Sequence, residues 1–330
     1  MNIQNICKVA SALAGLVLVS PANAAELNLP PDGWASWQVE AVEGAPALCC
    51  WSNWDKRDAS NASCKLDDDR GNFGTRDHAT TDAVRVYARM AGGKVERLRA
   101  FSANCAVEAA TPIRDLGNVG TDDSTRWLTR LGKSDANLGE DSGHQLLAAL
   151  ALHRGELAQN ELTSIARGDG GAETRRNAVF WLAHVRGVAG AEVATSVMFN
   201  DKDPELRRHA AFAITHSKSP RVTQDLIRLG NTDQDGEVRA QAWFWLAQTG
   251  APGSEDSIVA ALKKDNDDHV REQAIFALSQ LPDERATRAL IKAAEDRSLT
   301  NEQRKRAVFW LAQSESQGAQ TYLEKVLAGK

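Results

Sequence analysis

Residues 239–248 read RAQAWFWLAQ. Trp243, Phe244 and Trp245 side by side could form an aromatic binding surface, a cofactor pocket or a buried helix. The stretch decides the fold because it returns. RRNAVFWLAH (175–184), RRHAAFAITH (207–216), REQAIFALSQ (271–280) and RKRAVFWLAQ (304–313) repeat its Arg, Ala and Phe. The copies start at Arg175, Arg207, Arg239, Arg271 and Arg304, so the spacing is constant except for a single extra position in the last interval. A fixed period in this range is the signature of a solenoid of stacked supersecondary units.

A second helical pattern runs between the copies: GAEVATSVMF (190–199), PRVTQDLIRLG (220–230), SEDSIVAALKK (254–264) and ERATRALIKAAE (284–295). Each carries apolar residues at helical spacing and follows a breaker, Gly190, Pro220, Gly253 or Pro282. Acidic loops close three of them, among them Asp201-Lys202-Asp203-Pro204 and Asp233-Gln234-Asp235-Gly236. The unit is helix, turn, helix, with Asp203 as a cap and Pro204 in the first helical position. GHQLLAALALH (143–153) fits an earlier second helix, with 121–131 as its partner. This copy lacks the Arg and the Phe, as a terminal capping repeat can. The stretch 319–327 should close the other end alone.

Paired helices of this length, with D-x-x-x-x-[VL]-R opening the second, resemble HEAT repeats. Asp233 to Val238-Arg239 and Asp265 to Val270-Arg271 carry that opening. FALSQLP (276–282) and FWLAQS (309–314), with the amino-terminal cysteines, resemble an exported bacterial HEAT-repeat family of unassigned biochemical activity. The resemblance covers about 140–330 and implies that the second helices line the concave side.

At about 100° per residue, Leu206, Ala210 and Ile214 share the stripe that buries against the first helix. Phe212 falls nearly opposite, with Phe180, Phe244, Phe276 and Phe309 as its equivalents. One turn further on come His184, His216, Gln248, Gln280 and Gln313. The expected concave face is a Phe ladder beside a His/Gln ladder. The rings could lean on one another, or contact a partner whose backbone the imidazoles and amides would bond. Trp181, Trp245 and Trp310 alternate with Ala213 and Ala277 on one flank. They read as inter-repeat packing, with Trp181 set against Ala211 and Trp243 against Ala213.

Residues 1–24 read as a cleaved signal peptide: Lys8, an apolar run too short to span a bilayer, then Ala22-Asn23-Ala24. The mature chain would begin near Ala25, with 38 basic and 44 acidic side chains and a net charge of −6. No basic run suits a nucleic acid, and no second apolar stretch suits a membrane span. The protein is placed in the periplasm or outside the cell. Cys49, Cys50, Cys64 and Cys105 then read as two disulfides. Neighbouring Cys49 and Cys50 take one each of Cys64 and Cys105, in either order; a four-thiolate zinc site is the rival. Residues 82–102 read as a hairpin turning at Gly92-Gly93. Trp34, Trp37, Trp51 and Trp54 are expected around the disulfides, although sugar stacking would use Trp as well.

The domain reading is signal peptide 1–24, a small β-rich cysteine-containing domain 25–118, and a mainly α solenoid of about six HEAT-like hairpins, 119–330. No hydrolase, P-loop, dinucleotide or zincin motif occurs, and no cofactor is expected. His153, His184 and His216 would form a metal-binding column only if packed helices, about 8–10 Å apart, let them converge. The loop 231–236 imitates the start of a calcium loop but has Ala242 where the bidentate Glu belongs. Its Asp residues are expected to cap the next helix and pair with its Arg. The leading functional reading is a non-catalytic envelope scaffold binding a protein or peptide along its concave side. The alternative is a lyase-related HEAT-like enzyme or a metal protein with a site where cap meets solenoid.

Overall fold

The computed structural model describes residues 27–50, 63–68, 73–134, 138–168 and 170–328. The expected signal peptide, Trp51 and Trp54 lie outside the described residues. The amino-terminal part holds β1 (Gly33–Glu40), β2 (Pro46–Cys50), β3 (Cys64–Lys65), β4 (Phe73–Thr80), β5 (Ala83–Ala91), β6 (Lys94–Ser102), β7 (Val107–Glu108) and β8 (Ile113–Asn118). A four-stranded sheet runs in the order β6-β5-β1-β8, with β8 parallel to β1. β5 and β6 form the expected hairpin, Ala91 opposite Lys94. Gly92 and Gly93 sit at φ 56 and 76, as a two-residue turn with positive φ at both positions requires.

The sheet is covered on both faces. One presents Trp37, Val39, Val84, Val86, Leu98 and Ala100 to the helices; the other presents Trp34, Tyr87 and Phe101 to Cys64 and Leu66. The cysteines pair as Cys49–Cys105 and Cys50–Cys64, with Cα separations of 5.8 and 5.2 Å, within disulfide range. Trp34 sits with Cys64 as expected, but Trp37 does not. Strand alternation turns Trp37 to the opposite face, where its ring meets Trp127 edge-on at 5.1 Å.

Thirteen helices follow among the described residues. Six pairs are α1 (Thr121–Ser134) with α2 (Glu140–Leu152), α3 (Glu156–Arg167) with α4 (Ala172–Val185), α5 (Gly187–Asn200) with α6 (Pro204–Thr215), α7 (Val222–Thr232) with α8 (Gly236–Gln248), α9 (Ser254–Lys264) with α10 (Asp268–Ser279), and α11 (Asp283–Glu295) with α12 (Asn301–Ala312). Helix α13 (Gln317–Leu327) closes the stack alone. The breaker between α4 and α5 is Gly187, the first residue of α5, at φ 58, rather than Gly190. Gly190 lies inside the helix, where an added Cβ would strike the Leu182 carbonyl. Asp203, Asp235 and Asp267 cap α6, α8 and α10 through the backbone N–H groups of Glu205, Val238 and His269.

From α4 onward the second helices pack closely on one another, whereas consecutive first helices barely touch. The stack therefore bends toward the second-helix layer, which is its inner wall. Arginines bind the units along one edge. Arg207 grips Asp233 at 2.8 Å through both Nε and Nη2, and Arg239 grips Asp265 at 2.9 Å in the same way. Arg207 and Arg239 also donate to the carbonyls of Asp201 and Asp233, at 2.9 and 3.0 Å. The carboxylates of Asp233 and Asp265 thus serve the preceding repeat's arginine, and only their carbonyls serve the arginine of their own helix. For these two residues the expected pairing is corrected, whereas Asp268 does pair with Arg271 of its own helix. One period past Asp265 stands Arg297, and the series stops. Asp296 beside it takes Lys263 at 2.6 Å instead.

The cap and the first hairpin share one continuous core. Helix α2 lies along β6, where Ser142 Oγ and Gln145 Oε1 accept the N–H groups of Leu98 and Ala100 at 3.2 and 2.9 Å. These side chains close a strand edge that would otherwise invite pairing with another chain.

Candidate binding face

The five phenylalanines share the inner wall, and the rings form one chain. Phe180 stacks on Phe212 at 5.9 Å and 10°, and Phe244 on Phe276 at 5.8 Å and 11°. Between these pairs stands Trp245, 4.8 Å from both Phe212 and Phe244. Trp310 likewise stands between Phe276 (5.1 Å) and Phe309 (5.2 Å). The alternation of Trp and Ala on the flank sets this order. Where Ala213 or Ala277 leaves room, the Phe meets its predecessor directly; where Trp245 or Trp310 occurs, the indole is wedged in. Offset-stacked and edge-on rings at such distances attract by roughly 0.5–1.5 kcal/mol per pair.

Trp181, Trp245 and Trp310 pack against the core, Trp245 and Trp310 between successive repeats as expected, but all three are only half-buried and also belong to the inner wall. Among the tryptophans of these repeats the buried one is Trp243, 1% exposed. Its indole lies over Gly230 of its own pair, where a Cβ would come within 2.5–2.9 Å of the ring. Phe180, Phe212, Phe244 and Phe276 are half-buried, and Phe309 is 49% exposed.

The polar row beside the rings is brought together as the repeat register requires. His184 stacks on Phe180 at 5.5 Å, and His216 meets Phe212 edge-on at 4.8 Å. Gln248 Nε2 donates to Gln280 Oε1 at 3.3 Å, and Gln313 is exposed. A second row escapes the sequence reading: Asn177, His209, Gln241, Gln273 and Arg306, each three positions before its Phe. Its signal is the same repeat register. Burial pushes the imidazoles of His184, His209 and His216 below their ordinary value, so at neutral pH they are uncharged and can donate and accept.

His153 does not join this row. Helix α2 ends at Leu152, and His153 turns toward the sheet to bridge with Ala41. Its ring is wholly buried, Nε2 2.7 Å from Ser124 Oγ and Nδ1 2.6 Å from the Ala149 carbonyl. Ser124 Oγ also takes the Trp37 indole N–H at 2.7 Å. Only one tautomer completes the chain: Nδ1–H donates to Ala149 and Nε2 accepts from the serine. Arg186 donates to the His153 and Gly155 carbonyls, locking the turn, and burial lowers its pKa to about 10. The junction thus holds a serine and a histidine in hydrogen-bond contact, with the pair sealed from solvent by its own partners. His184 and His216 lie 6.1 Å apart ring to ring, without His153 as a third member. Among the described residues no group of three or more His, Cys, Asp or Glu could hold a metal ion. Asp233 and Asp235 of the calcium-like loop serve Arg207 and the start of α8 instead.

Among the described residues no helix is long and apolar enough to cross a membrane. No curated protein matches the chain. A solved structure of Escherichia coli YibA aligns with a TM-score of 0.36 and 20% identity, over 63% of this chain and 80% of that one. Human deoxyhypusine hydroxylase in complex with glycerol aligns with a TM-score of 0.30 and 14% identity, over 58% and 84%. The HEAT repeats family matches residues 160–243 and 229–312, the segments that hold the arginine edge and the ring chain. Residues 160–312 of this chain are therefore HEAT repeats.

Proposed function

We propose that the protein is a non-catalytic scaffold of an exported, oxidising compartment, and that it holds a protein or peptide against its inner wall. One observation carries this reading: a continuous row of half-buried aromatic rings, Phe180 to Phe309, flanked by imidazole and amide side chains. An apolar stripe of such length on a surface marks an interaction site. Phe180, Phe212, Phe244, Phe276 and Phe309 supply apolar contact. His184, His216, Gln248, Gln280 and Gln313 supply donors and acceptors that pair with an extended backbone. The two cysteine pairs at disulfide distance favour an oxidising compartment, as does the leader-like amino terminus.

The test uses Phe309→Ser, at the most exposed ring, and Phe244→Ser with Phe276→Ser, at a stacked pair. Each full-length variant is used for crosslinking capture from the cell envelope, with its melting temperature measured in parallel. Loss of captured partners by Phe309→Ser at unchanged stability supports the scaffold. Unchanged partners with collapsed stability in the double variant make the ring chain structural and end this reading.

A further inference from the structure

The first hairpin departs from the others at one position. Helix α2 begins at Glu140 and α4 at Ala172, a full period later, so Gly143 falls where α4 carries Arg175. In the later units this edge is filled by guanidinium–carboxylate pairs. Hollows of about 420 and 370 Å³ there are lined by Arg207 with Asp233 and by Arg239 with Asp265. At Gly143 there is no side chain, and α1 rests only loosely on α2. A larger cavity of about 590 Å³ opens, with Leu138, Leu146, Leu147, Leu150 and Ile165 as its apolar wall. A Cβ on Gly143 would meet nothing within 4 Å.

Three lining residues carry unmet polar atoms. Asn177 Nδ2, Thr129 Oγ1 and His144 Nε2 are buried and have no hydrogen-bond partner, and their residues line the cavity. An amide N–H can be met only by an acceptor, and a buried donor left unmet is costly. At the rim Lys133 lies 3.8 Å from Glu161, so these two charges offset one another. The volume falls within the range of small-molecule sites, which are mostly apolar with a few placed polar groups.

We infer that this cavity is a binding site for a small uncharged amphiphile, an apolar ring or chain bearing a carbonyl oxygen that accepts the Asn177 N–H. The site lies at the head of the ring chain, one turn before Phe180, and does not depend on the scaffold reading.

The probe is Nile red, an uncharged fused-ring dye with a ring carbonyl, titrated into the full-length protein and followed by its blue-shifted fluorescence. Saturable one-to-one binding is expected. Gly143→Phe, which fills the cavity, should weaken it about tenfold or more. Asn177→Leu keeps the shape but removes one hydrogen bond and should weaken it by about threefold to tenfold. Phe309→Ser, on the inner wall, should leave it unchanged. Circular dichroism confirms that each variant is folded, and Asn177→Leu decides if Gly143→Phe is not. Absence of saturable binding means the cavity takes water only and overturns the inference. So does binding indifferent to both cavity variants, or binding lost with Phe309→Ser.

Discussion

Replacing His153 with Gln should remove a pH dependence that the wild-type protein carries. Burial, with the nearby Arg186 charge, pulls the imidazole from its ordinary 6.5 down to about 4, against a smaller opposing effect of the Ala149 carbonyl. Between those values the unfolded chain binds a proton that the folded chain refuses. Stability therefore rises with pH across this window and is lost as pH falls from 6.5 toward 4. A pKa gap of about 2.5, at about 1.36 kcal/mol for each pH unit, gives roughly 3 kcal/mol. Structure gives the same sign. A proton on Nε2 would abolish the acceptor that the Ser124 hydroxyl uses, inside a site with no water-facing side. The assay is urea unfolding at pH 7, 5.5 and 4, followed by helical circular dichroism. His153→Gln should be the less stable protein at pH 7, by about 1–3 kcal/mol for disturbed buried hydrogen bonds. The two proteins should converge by pH 4. His184, His209 and His216 are also depressed, but they titrate in both proteins and cancel in the difference. Parallel stability curves, separated by the same amount at every pH, would refute the reasoning.

Arg207 and Asp233 are each about 5% exposed as side chains, so neither charge tolerates losing the other. Arg207→Met and Asp233→Asn should each cost about 3–5 kcal/mol, while the double variant recovers at least about 2 kcal/mol of their sum. Additive losses in chemical unfolding would show that the pair contributes nothing as a pair. Gly230→Ala should lower the melting temperature although alanine is the better helix former. The methyl must displace the Trp243 indole, at about 1–3 kcal/mol, against about 1 kcal/mol of helix propensity. A more stable variant would mean that the indole has somewhere else to go.

The unit, its register and the shared face of the five Phe residues are legible in the sequence because all three are one-dimensional. The repeat period and the helical turn angle suffice to align Phe180 with Phe212. What escapes needs the neighbouring unit. Trp245 reads as inter-repeat packing from its flank position, but that the ring it meets is Phe212 of the preceding unit's second helix, which leaves it half-exposed on the inner wall, needs the neighbour in place. Asp233 stands a few positions before Arg239, yet its carboxylate reaches back to Arg207. His153 matches the repeat by residue type, yet α2 ends one position too soon for it to face inward. It is recruited by the sheet, which no helical periodicity foresees. Trp37 shows the same limit in a strand: alternation separates it from Trp34 but does not say which face meets the disulfides.

The alternation of indole and methyl along the flank means that the natural building block of this array is a pair of units, not one. Excising a single unit, for example the one holding Ala213, would bring Trp181 and Trp245 into consecutive places and replace the direct Phe180–Phe212 stack with an interval wedged by Trp245. Removing two adjacent units would preserve the beat. Anyone lengthening or shortening this protein should therefore count in double periods, from Trp181 to Trp245 and never from Trp181 to Ala213.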